Sequence, residues 1–365
     1  MASRLTLSNR AGWGFALPGF GLIAIFIVLP FFFAFYLSLT NQRLISPNPT
    51  QWVGLDNYSQ LLSVGVLTLE PERDDAGEIL RDADGVAEYP RVRNFTRSAD
   101  YPQYEGMREW FSWQSGENRT VVLASDVVFM TALVNTILFV IVVAPVQATL
   151  ALGLALLINQ RLRGINLFRA IYFMPVVTNI VAVAIVFQWL LNRDFGVANA
   201  WVWQLAEATG WRIAPPDWLN SSFWAKPAVV LLTLWKNVGF TMVIYLAGLQ
   251  AVPQSLYDAA KVDGASGLQR FRYITMPMVS PTTFFLLVIQ MIGAFQLFAE
   301  PFVMTGGGPA QATLSIVMYI YQNAFEFGRM GKATAIAWIL FAIIFVFTLI
   351  QTRLQRRWVH YETEG

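Results

Sequence analysis

The feature that most constrains this chain is a series of apolar runs as long as a lipid bilayer is thick. A helix needs about 20 apolar residues to cross the hydrocarbon core. Apolar residues make up 56% of the chain and charged residues only 13%, whereas a soluble domain carries about 25% charged residues. The sequence therefore predicts an all-α integral membrane protein. The six predicted spans lie at roughly 13–39, 127–158, 166–192, 226–250, 281–304 and 333–352.

The basic residues beside the short loops predict how the spans are oriented, because Lys and Arg are enriched on the cytoplasmic side. All of the clusters fall on one side if both termini are cytoplasmic. The clusters are Arg4 and Arg10; Arg161, Arg163 and Arg169; Lys261, Arg270 and Arg272; and Arg353, Arg356 and Arg357. The first apolar run is too long for a typical signal peptide, so we expect it to be retained as a helix.

This orientation predicts how the chain is divided. A cytoplasmic N-terminus and first span occupy 1–39, and a long periplasmic connection follows at 40–126. A five-helix core at 127–354 contains a cytoplasmic loop at 251–280, and a cytoplasmic tail occupies 355–365.

The 40–126 connection is acidic, with eight basic and fourteen acidic residues between Asn41 and Asp126. Low aromatic content is typical of disordered segments. The aromatic residues Trp110, Phe111 and Trp113 therefore favour a small folded subdomain over a plain linker. No internal repeat is evident in the sequence.

Several kinds of chemistry are disfavoured by the composition. The chain has no cysteine, and its single histidine, His360, lies in the tail, which argues against thiol chemistry and a histidine-based metal site. The sequence contains no Gly-x-x-x-x-Gly-Lys-Ser/Thr phosphate loop. Basic residues are dispersed and do not form a nucleic-acid-binding stripe. We expect no catalytic residue, metal or cofactor in the chain itself.

The 251–280 loop carries the most specific motif. A short helix at 254–262, a turn at Gly264, and a second helical piece from about Leu268 to Ile274 predict a compact knob. The alternative is an ordinary loop between two spans. Asp-Ala-Ala at 258–260, followed by Gly264, Ile274 and Pro277, resembles the Glu-Ala-Ala loop of permease subunits in binding-protein-dependent ATP-binding-cassette (ABC) importers. Asp258 replaces the usual Glu, and Met276 replaces the usual Leu.

The resemblance implies that this knob docks on a separate ATPase subunit, which binds ATP. The implied coupling residues are Asp258, Ala259, Ala260, Asp263, Gly264, Ile274 and Pro277.

Two further stretches carry the resemblance. The run Thr-Gly-Gly-Gly-Pro at 305–309 resembles a segment of the carbohydrate branch of these permeases. A phosphate-binding role is disfavoured, because the run follows a membrane helix and no strand. The segment 52–58, and the stretch 131–136 after it, resemble sequences around the first outer loop of sugar permeases, which normally lack the intervening 63–126 insertion.

Polar residues on one face of the fourth and fifth spans form a candidate substrate pathway. Polar groups within a membrane are costly when they face lipid, so we expect these to face the bundle interior. They can bind sugar hydroxyls, or they can serve helix–helix hydrogen bonding and snorkelling. Lys236 can also neutralise Glu300. The candidates are Thr233, Lys236, Asn237, Phe240, Gln290 and Gln296.

The resemblance as a whole implies a type I, MetI-like transmembrane domain of six helices with a periplasmic insertion, in the bacterial inner membrane. It implies import of a sugar, polyol or oligosaccharide. The implied partners are a second, homologous permease subunit, two ATPase subunits and a periplasmic binding protein. Two alternatives belong to other classes: a membrane-anchored enzyme or sensor that uses 63–126, and an ion-coupled secondary transporter, which predicts inverted repeats.

Overall fold

The computed structural model describes residues 2–160, 164–210 and 214–359, so Arg161, Arg163 and His360 lie outside the described residues. The α-helices are α1 (Ala2–Ile23), α2 (Leu29–Ser38), α3 (Asp56–Leu62), α4 (Val92–Thr96), α5 (Val127–Ile158), α6 (Ile165–Val177), α7 (Ile180–Leu190), α8 (Val197–Thr209), α9 (Ala225–Gln250), α10 (Gln254–Val262), α11 (Gly267–Arg270), α12 (Met276–Phe295), α13 (Ala299–Thr305), α14 (Ile316–Tyr321) and α15 (Met330–Gln355). The strands are β1 (Val64–Leu69), β2 (Arg108–Ser115) and β3 (Asn118–Ala124). π-helical segments occupy Ala24–Val28, Phe271–Thr275 and Gln322–Glu326, and a 3₁₀ turn occupies Pro102–Tyr104.

The membrane-spanning helices confirm the mostly helical fold. Within the described residues, five helices are long and apolar enough to cross a bilayer, and a bent pair adds a sixth span if it is counted as one. The five are Gly12–Ser38, Val127–Ile158, Ala225–Gln250, Gly267–Phe295 and Met330–Gln355, and the bent pair is Leu167–Val177 with Ile180–Leu190.

The third span differs from the prediction, because 166–192 is two helices that meet at an angle of 103°. Thr178 is extended, with a ψ of 149°. Asn179 then caps the next helix, since its side chain accepts hydrogen bonds from the backbone N–H groups of Val181 and Ala182. An asparagine in this position favours the start of a new helix, and apolar periodicity alone does not reveal it.

The fifth span is also displaced from the predicted 281–304. Helix α11 runs through a π-helical segment into α12, so the predicted separate piece at 268–274 is the start of the span itself. The helix then ends at Phe295. Gln296 leaves the helical region, and Phe298 has a φ of −135°, so Ala299–Thr305 forms a separate short helix. The sequence does not reveal this break, because apolar residues continue on both sides of it.

Residues Met1–Val127 and Ile320–Ile339 form one compact unit. It includes the insertion, which is a three-stranded antiparallel sheet in the order β1-β3-β2. One face of the sheet buries Leu67, Leu69, Val121 and Leu123. In β1 the buried residues alternate with exposed ones, which is the period-2 pattern of a half-buried strand, whereas the last four residues of the central strand β3 are all buried. The all-α description therefore applies to the membrane spans, and the insertion adds a β subdomain.

Two consecutive eight-residue turns within the insertion have the same geometry, although no internal repeat is evident in the sequence. In each turn, an arginine guanidinium donates to a glycine carbonyl, and an aspartate carboxylate accepts two backbone N–H groups. Arg73 donates to the Gly77 carbonyl, and Arg81 donates to the Gly85 carbonyl. The Asp74 carboxylate accepts from the N–H groups of Ala76 and Glu78, and the Asp82 carboxylate accepts from those of Asp84 and Val86. The two turns share only the residues of their Arg-Asp and Gly positions. Their eight-residue spacing is far shorter than the 20–50 residues of a repeat fold.

Residues Val128–Tyr319 and Leu340–Gly365 form the second unit. Its helices approach each other closely at small residues, as is common in membranes. A Cβ atom on Gly239 would lie 1.9 Å from the Tyr172 carbonyl oxygen, where α9 crosses α6. A Cβ atom on Gly248 would lie 2.6 Å from Thr282 Oγ1, between α9 and α12. These contacts place α9 at the centre of the unit.

Candidate functional site

The loop between α9 and α12 has a defined backbone. The N–H of Gly264 donates to the Lys261 carbonyl at 3.1 Å, and the N–H of Ala265 donates to the Ala260 carbonyl at 2.9 Å. This pair of bonds is the Schellman motif that closes a helix through a left-handed residue. Gly264 supplies that residue, with a φ of +75°, as the sequence analysis expected.

The next helix begins immediately with a capping box. The backbone N–H of Gln269 donates to Ser266 Oγ at 3.4 Å, and the Gln269 side-chain oxygen accepts from the Ser266 N–H at 2.7 Å. Reciprocal bonds of this kind satisfy two N–H groups that a helix start leaves unpaired. Because both helix ends at the turn are closed by internal bonds, α10 and α11 are held at a defined angle.

The predicted coupling residues divide into surface and anchor positions. Asp258, Ala259, Asp263 and Gly264 are exposed, and Ala260 is half-buried. Ile274 and Pro277 are half-buried at the base, where Ile274 packs against the core cluster that includes Tyr245 and Leu249. The structure thus brings the motif together in one short segment, with its polar part outward.

The Asp258 carboxylate is held by two neighbours on its own helix. Lys261 Nζ donates to Asp258 Oδ1 at 2.9 Å, and Gln254 Nε2 donates to the same oxygen at 3.3 Å. These hydrogen bonds, with that from Lys261 the stronger influence, hold the pKa of Asp258 below its ordinary value. The side chain is therefore a negative charge at neutral pH.

Sequence reasoning missed a set of exposed apolar side chains on the same loop. Val262 is 89% exposed, Leu268 is 77% exposed and Tyr273 is 75% exposed. Val262 and Leu268 flank the glycine turn, and Leu268 and Tyr273 lie at the start of the Gly267–Phe295 span. Exposed apolar side chains close together in the chain are a mark of an interaction surface. Apolar residues within an otherwise polar loop were the signal that could have revealed it.

A second candidate region is a cavity of about 560 Å³ within the helical bundle. It is lined by residues of α5, α7, α9 and α12, by the turn at 296–298, and by the start of α13. All six predicted pathway residues, Thr233, Lys236, Asn237, Phe240, Gln290 and Gln296, line it. This volume lies within the usual range of ligand pockets.

A hydrogen-bond network crosses the wall of this cavity. Thr241 Oγ1 accepts from Gln147 Nε2 at 2.9 Å and from Gln290 Nε2 at 3.3 Å, and it donates to the Asn237 carbonyl at 3.2 Å. The network joins α5, α9 and α12. Gln147 and Thr241 were not predicted, because each is a single polar residue in an apolar run. Part of the polar face therefore holds helices together.

Lys236 is directed at the bend of the third span. Its Nζ donates to the Thr178 carbonyl at 2.8 Å and to the Pro175 carbonyl at 3.3 Å. These carbonyls lie at the C-terminal end of α6, where a cation complements the helix dipole. None of the ion pairs formed by the described residues joins Lys236 to Glu300, so the neutralisation considered above is not a direct contact.

The glycine-rich run is a partly exposed turn, in which Gly307 is buried and Gly306 is exposed, and the residues that follow it pack against α5. Asn135 Nδ2 donates to the Gln311 carbonyl at 2.8 Å and to the Leu314 carbonyl at 3.1 Å. Thr136 Oγ1 accepts from the Ile316 N–H at 2.9 Å. Gly306 and Gly307 have φ values of +58° and +83°, which a glycine adopts without strain. Two of the stretches that carry the resemblance are thus one structural unit.

Comparisons with known proteins agree on the family. The family profile described as "Binding-protein-dependent transport system inner membrane component" matches residues 147–360. The chain is 36% identical over 241 residues, 65% of its length and 79% of the relative's, to the lactose transport system permease protein LacF of Rhizobium radiobacter. It is 34% identical over 221 residues, 60% of its length and 72% of the relative's, to the trehalose/maltose transport system permease protein MalF of Thermococcus litoralis.

A solved structure has the same fold. It is a chain of a bacterial ABC transporter involved in the import of the acidic polysaccharide alginate, with a TM-score of 0.68 and 21% identity over 97% of this chain and 99% of that one. The expectation of a membrane transport subunit is confirmed, and the enzyme, sensor and secondary-transporter alternatives are not supported. The chain belongs to the family of inner membrane components of binding-protein-dependent transport systems.

Proposed function

We propose that this chain is one permease subunit of an ATP-driven sugar importer, coupled to a separate ATPase through the 251–280 loop. The observation that carries the proposal is the set of exposed apolar side chains Val262, Leu268 and Tyr273, which lie next to a turn that is closed by its own backbone hydrogen bonds. Burial of such side chains against a partner contributes favourable free energy without much ordering of the loop.

The partner proposed for this surface is an ATPase subunit. The chain has no phosphate loop of its own, so an importer of this family must obtain ATP hydrolysis from another polypeptide. Two ATPase subunits would serve this chain and a second, homologous permease subunit. Movement of the ATPases would be transmitted through α10 and α11 into α12, since α11 continues into that span. Rigid-body movement of packed helices is a common switching transition.

A sugar is the substrate class that the cavity favours. Amide side chains such as Asn237 and Gln296 line it together with the ring of Phe240, and such groups can bind hydroxyls and the apolar face of a sugar ring. The relatives named above are permeases of lactose and trehalose/maltose systems, which supports the same class here.

The orientation proposed for the chain has both termini and the 251–280 loop in the cytoplasm of a bacterial cell. The 63–126 insertion then lies in the periplasm, on the side from which a binding protein delivers substrate. The basic flanks of the short loops support this arrangement.

The test is association with an ATPase, measured on affinity-tagged full-length chain purified from host membranes in mild detergent. Val262→Asp places a charge in the apolar cluster, and Ile45→Asp is the matched control, because Ile45 is 91% exposed but outside the loop. We expect wild type and the control to co-purify with a protein that contains a phosphate loop and hydrolyses ATP. We expect Val262→Asp to co-purify with much less of this ATPase. Equal recovery with both variants would refute docking at this surface, and absence of any ATPase with wild type would refute the proposed function.

A further inference from the structure

The cavity wall holds one carboxylate that the pathway prediction did not include. Glu300 lies in the first turn of α13, is only 9% exposed to solvent, and lines the cavity of about 560 Å³. Among the described residues, none of the ion pairs includes Glu300. A buried carboxylate needs compensation, and Glu300 belongs to the lining of the cavity, where a ligand can provide it.

Among the described residues that line this cavity, the one cation, Lys236, already donates its hydrogen bonds elsewhere. The Lys236 ammonium is satisfied by the Thr178 and Pro175 carbonyls at the C-terminal end of α6. Its positive charge attracts the Glu300 carboxylate, but none of the ion pairs formed by the described residues joins the two groups. An anionic ligand that used Lys236 would have to displace two backbone bonds, and their carbonyls would then remain unpaired.

A second acceptor in the wall also lacks a donor. Gln290 is 8% exposed, and its Oε1 has no hydrogen-bond partner among the described residues, whereas its Nε2 donates to Thr241. Gln290 and Glu300 both line the same cavity. The lining thus offers two acceptors, Gln290 Oε1 and the Glu300 carboxylate. Hydroxyl groups can supply the missing donors, whereas a carboxylate, phosphate or sulfonate cannot.

We propose that Glu300 is a specificity-determining residue that makes this cavity select neutral, hydroxyl-rich saccharides and reject anionic ones. The proposal rests on the sugar-importer function proposed above and narrows its substrate class. Two like charges about 5 Å apart, at an effective dielectric constant of about 20, oppose binding by a factor on the order of 100. Lys236 offsets part of that repulsion, so we expect a preference of at least about tenfold for the neutral sugar.

The test uses the complete transporter in nanodiscs without its binding protein, so that selection by the binding protein does not contribute. Two matched pairs of probes, lactitol with lactobionate and maltitol with maltobionate, share an open-chain end and differ by a terminal hydroxymethyl group in place of a carboxylate. Their affinities are measured by equilibrium dialysis of labelled sugar. The variant is Glu300→Gln, and the control is Glu207→Gln, an exposed acid on α8. Glu300→Asp keeps the charge and tests whether the effect follows charge or side-chain shape.

We expect wild type, Glu207→Gln and Glu300→Asp to bind the neutral member of a pair at least about tenfold more tightly, and Glu300→Gln to narrow the ratio below about threefold. The proposal is refuted if wild type binds the acid equally well, if Glu300→Gln leaves the ratio unchanged, or if none of the four sugars binds. ATP hydrolysis and its stimulation by the binding protein are measured in the same nanodiscs. Normal stimulation without charge preference would refute this inference and leave the importer function standing.

Discussion

Substitutions at Gly264 test whether ATPase binding depends on the backbone conformation of the turn, without any change in side-chain crowding. A Cβ atom added at Gly264 would meet nothing within 4 Å, and the same is true of Gly267, three residues later. The two glycines differ in backbone angle, because only Gly264 has a positive φ, at +75°. Gly264→Ala therefore introduces left-handed strain without a clash, and Gly267→Ala introduces neither.

The expected effect follows from that difference. A left-handed conformation costs an L-residue about 1–2 kcal/mol, and about 1.4 kcal/mol corresponds to a tenfold change in an equilibrium constant. If the ATPase binds only the loop with the Schellman turn closed, Gly264→Ala should weaken association about 5- to 30-fold. Gly264→Asn should have a smaller effect, since asparagine tolerates this conformation better. Gly267→Ala should remain within about twofold of wild type.

The assay is equilibrium binding of the purified ATPase subunit to nanodiscs that contain each variant, followed by ATP-driven uptake. Thermal unfolding of each variant checks that the bundle itself is intact. The reasoning is refuted if the two alanine variants bind equally, or if Gly264→Asn binds more weakly than Gly264→Ala. Either result would mean that the ATPase does not require the closed turn, or that it contacts the glycine position directly.

Two further predictions concern packing and topology. Gly239→Ala should destabilise the bundle by about 1–3 kcal/mol through overpacking, since its Cβ would lie 1.9 Å from a carbonyl oxygen of α6. Gly153→Ala, which has open space around it, should not destabilise the bundle. Thermal unfolding in nanodiscs measures the difference, and equal stability of the two variants would contradict the close approach of α9 and α6. Because the chain has no cysteine, Ser255→Cys and Ser115→Cys, both exposed, can be labelled singly with an impermeant maleimide. We expect intact cells to label only Ser115→Cys and inside-out vesicles to label only Ser255→Cys, and the reverse pattern would invert the proposed topology.

The spans and the loop could be predicted from sequence because their signals are local. Apolar length defined most of the span boundaries to within a few residues, and the helix 254–262 and the turn at Gly264 followed from residue spacing alone. The bend at Asn179 and the break at Phe298 could not, because both lie within continuous apolar runs whose mean hydropathy is insensitive to where a helix stops.

The sequence predicted which residues line the cavity better than it predicted what those residues bind. Spacing on one helix face brought Thr233, Lys236 and Asn237 to the same wall. It could not reveal that Lys236 would bond to the carbonyls of a bend that was itself unpredicted. Glu300 was noticed in the sequence only as a neighbour. Its place in the wall depends on the turn between α12 and α13, which a continuous span would not contain.

The hydroxyl of Thr241 has a consequence for which helices move together. Its bond from Gln147 on α5 measures 2.9 Å, and its bond from Gln290 on α12 measures 3.3 Å, so the second is the weaker attachment. A displacement that begins at α11 and continues into α12 would separate Gln290 from Thr241 first, while α5 and α9 stay joined. We therefore expect α12 to lose its hydrogen bond to this hydroxyl before α5 does when the loop moves.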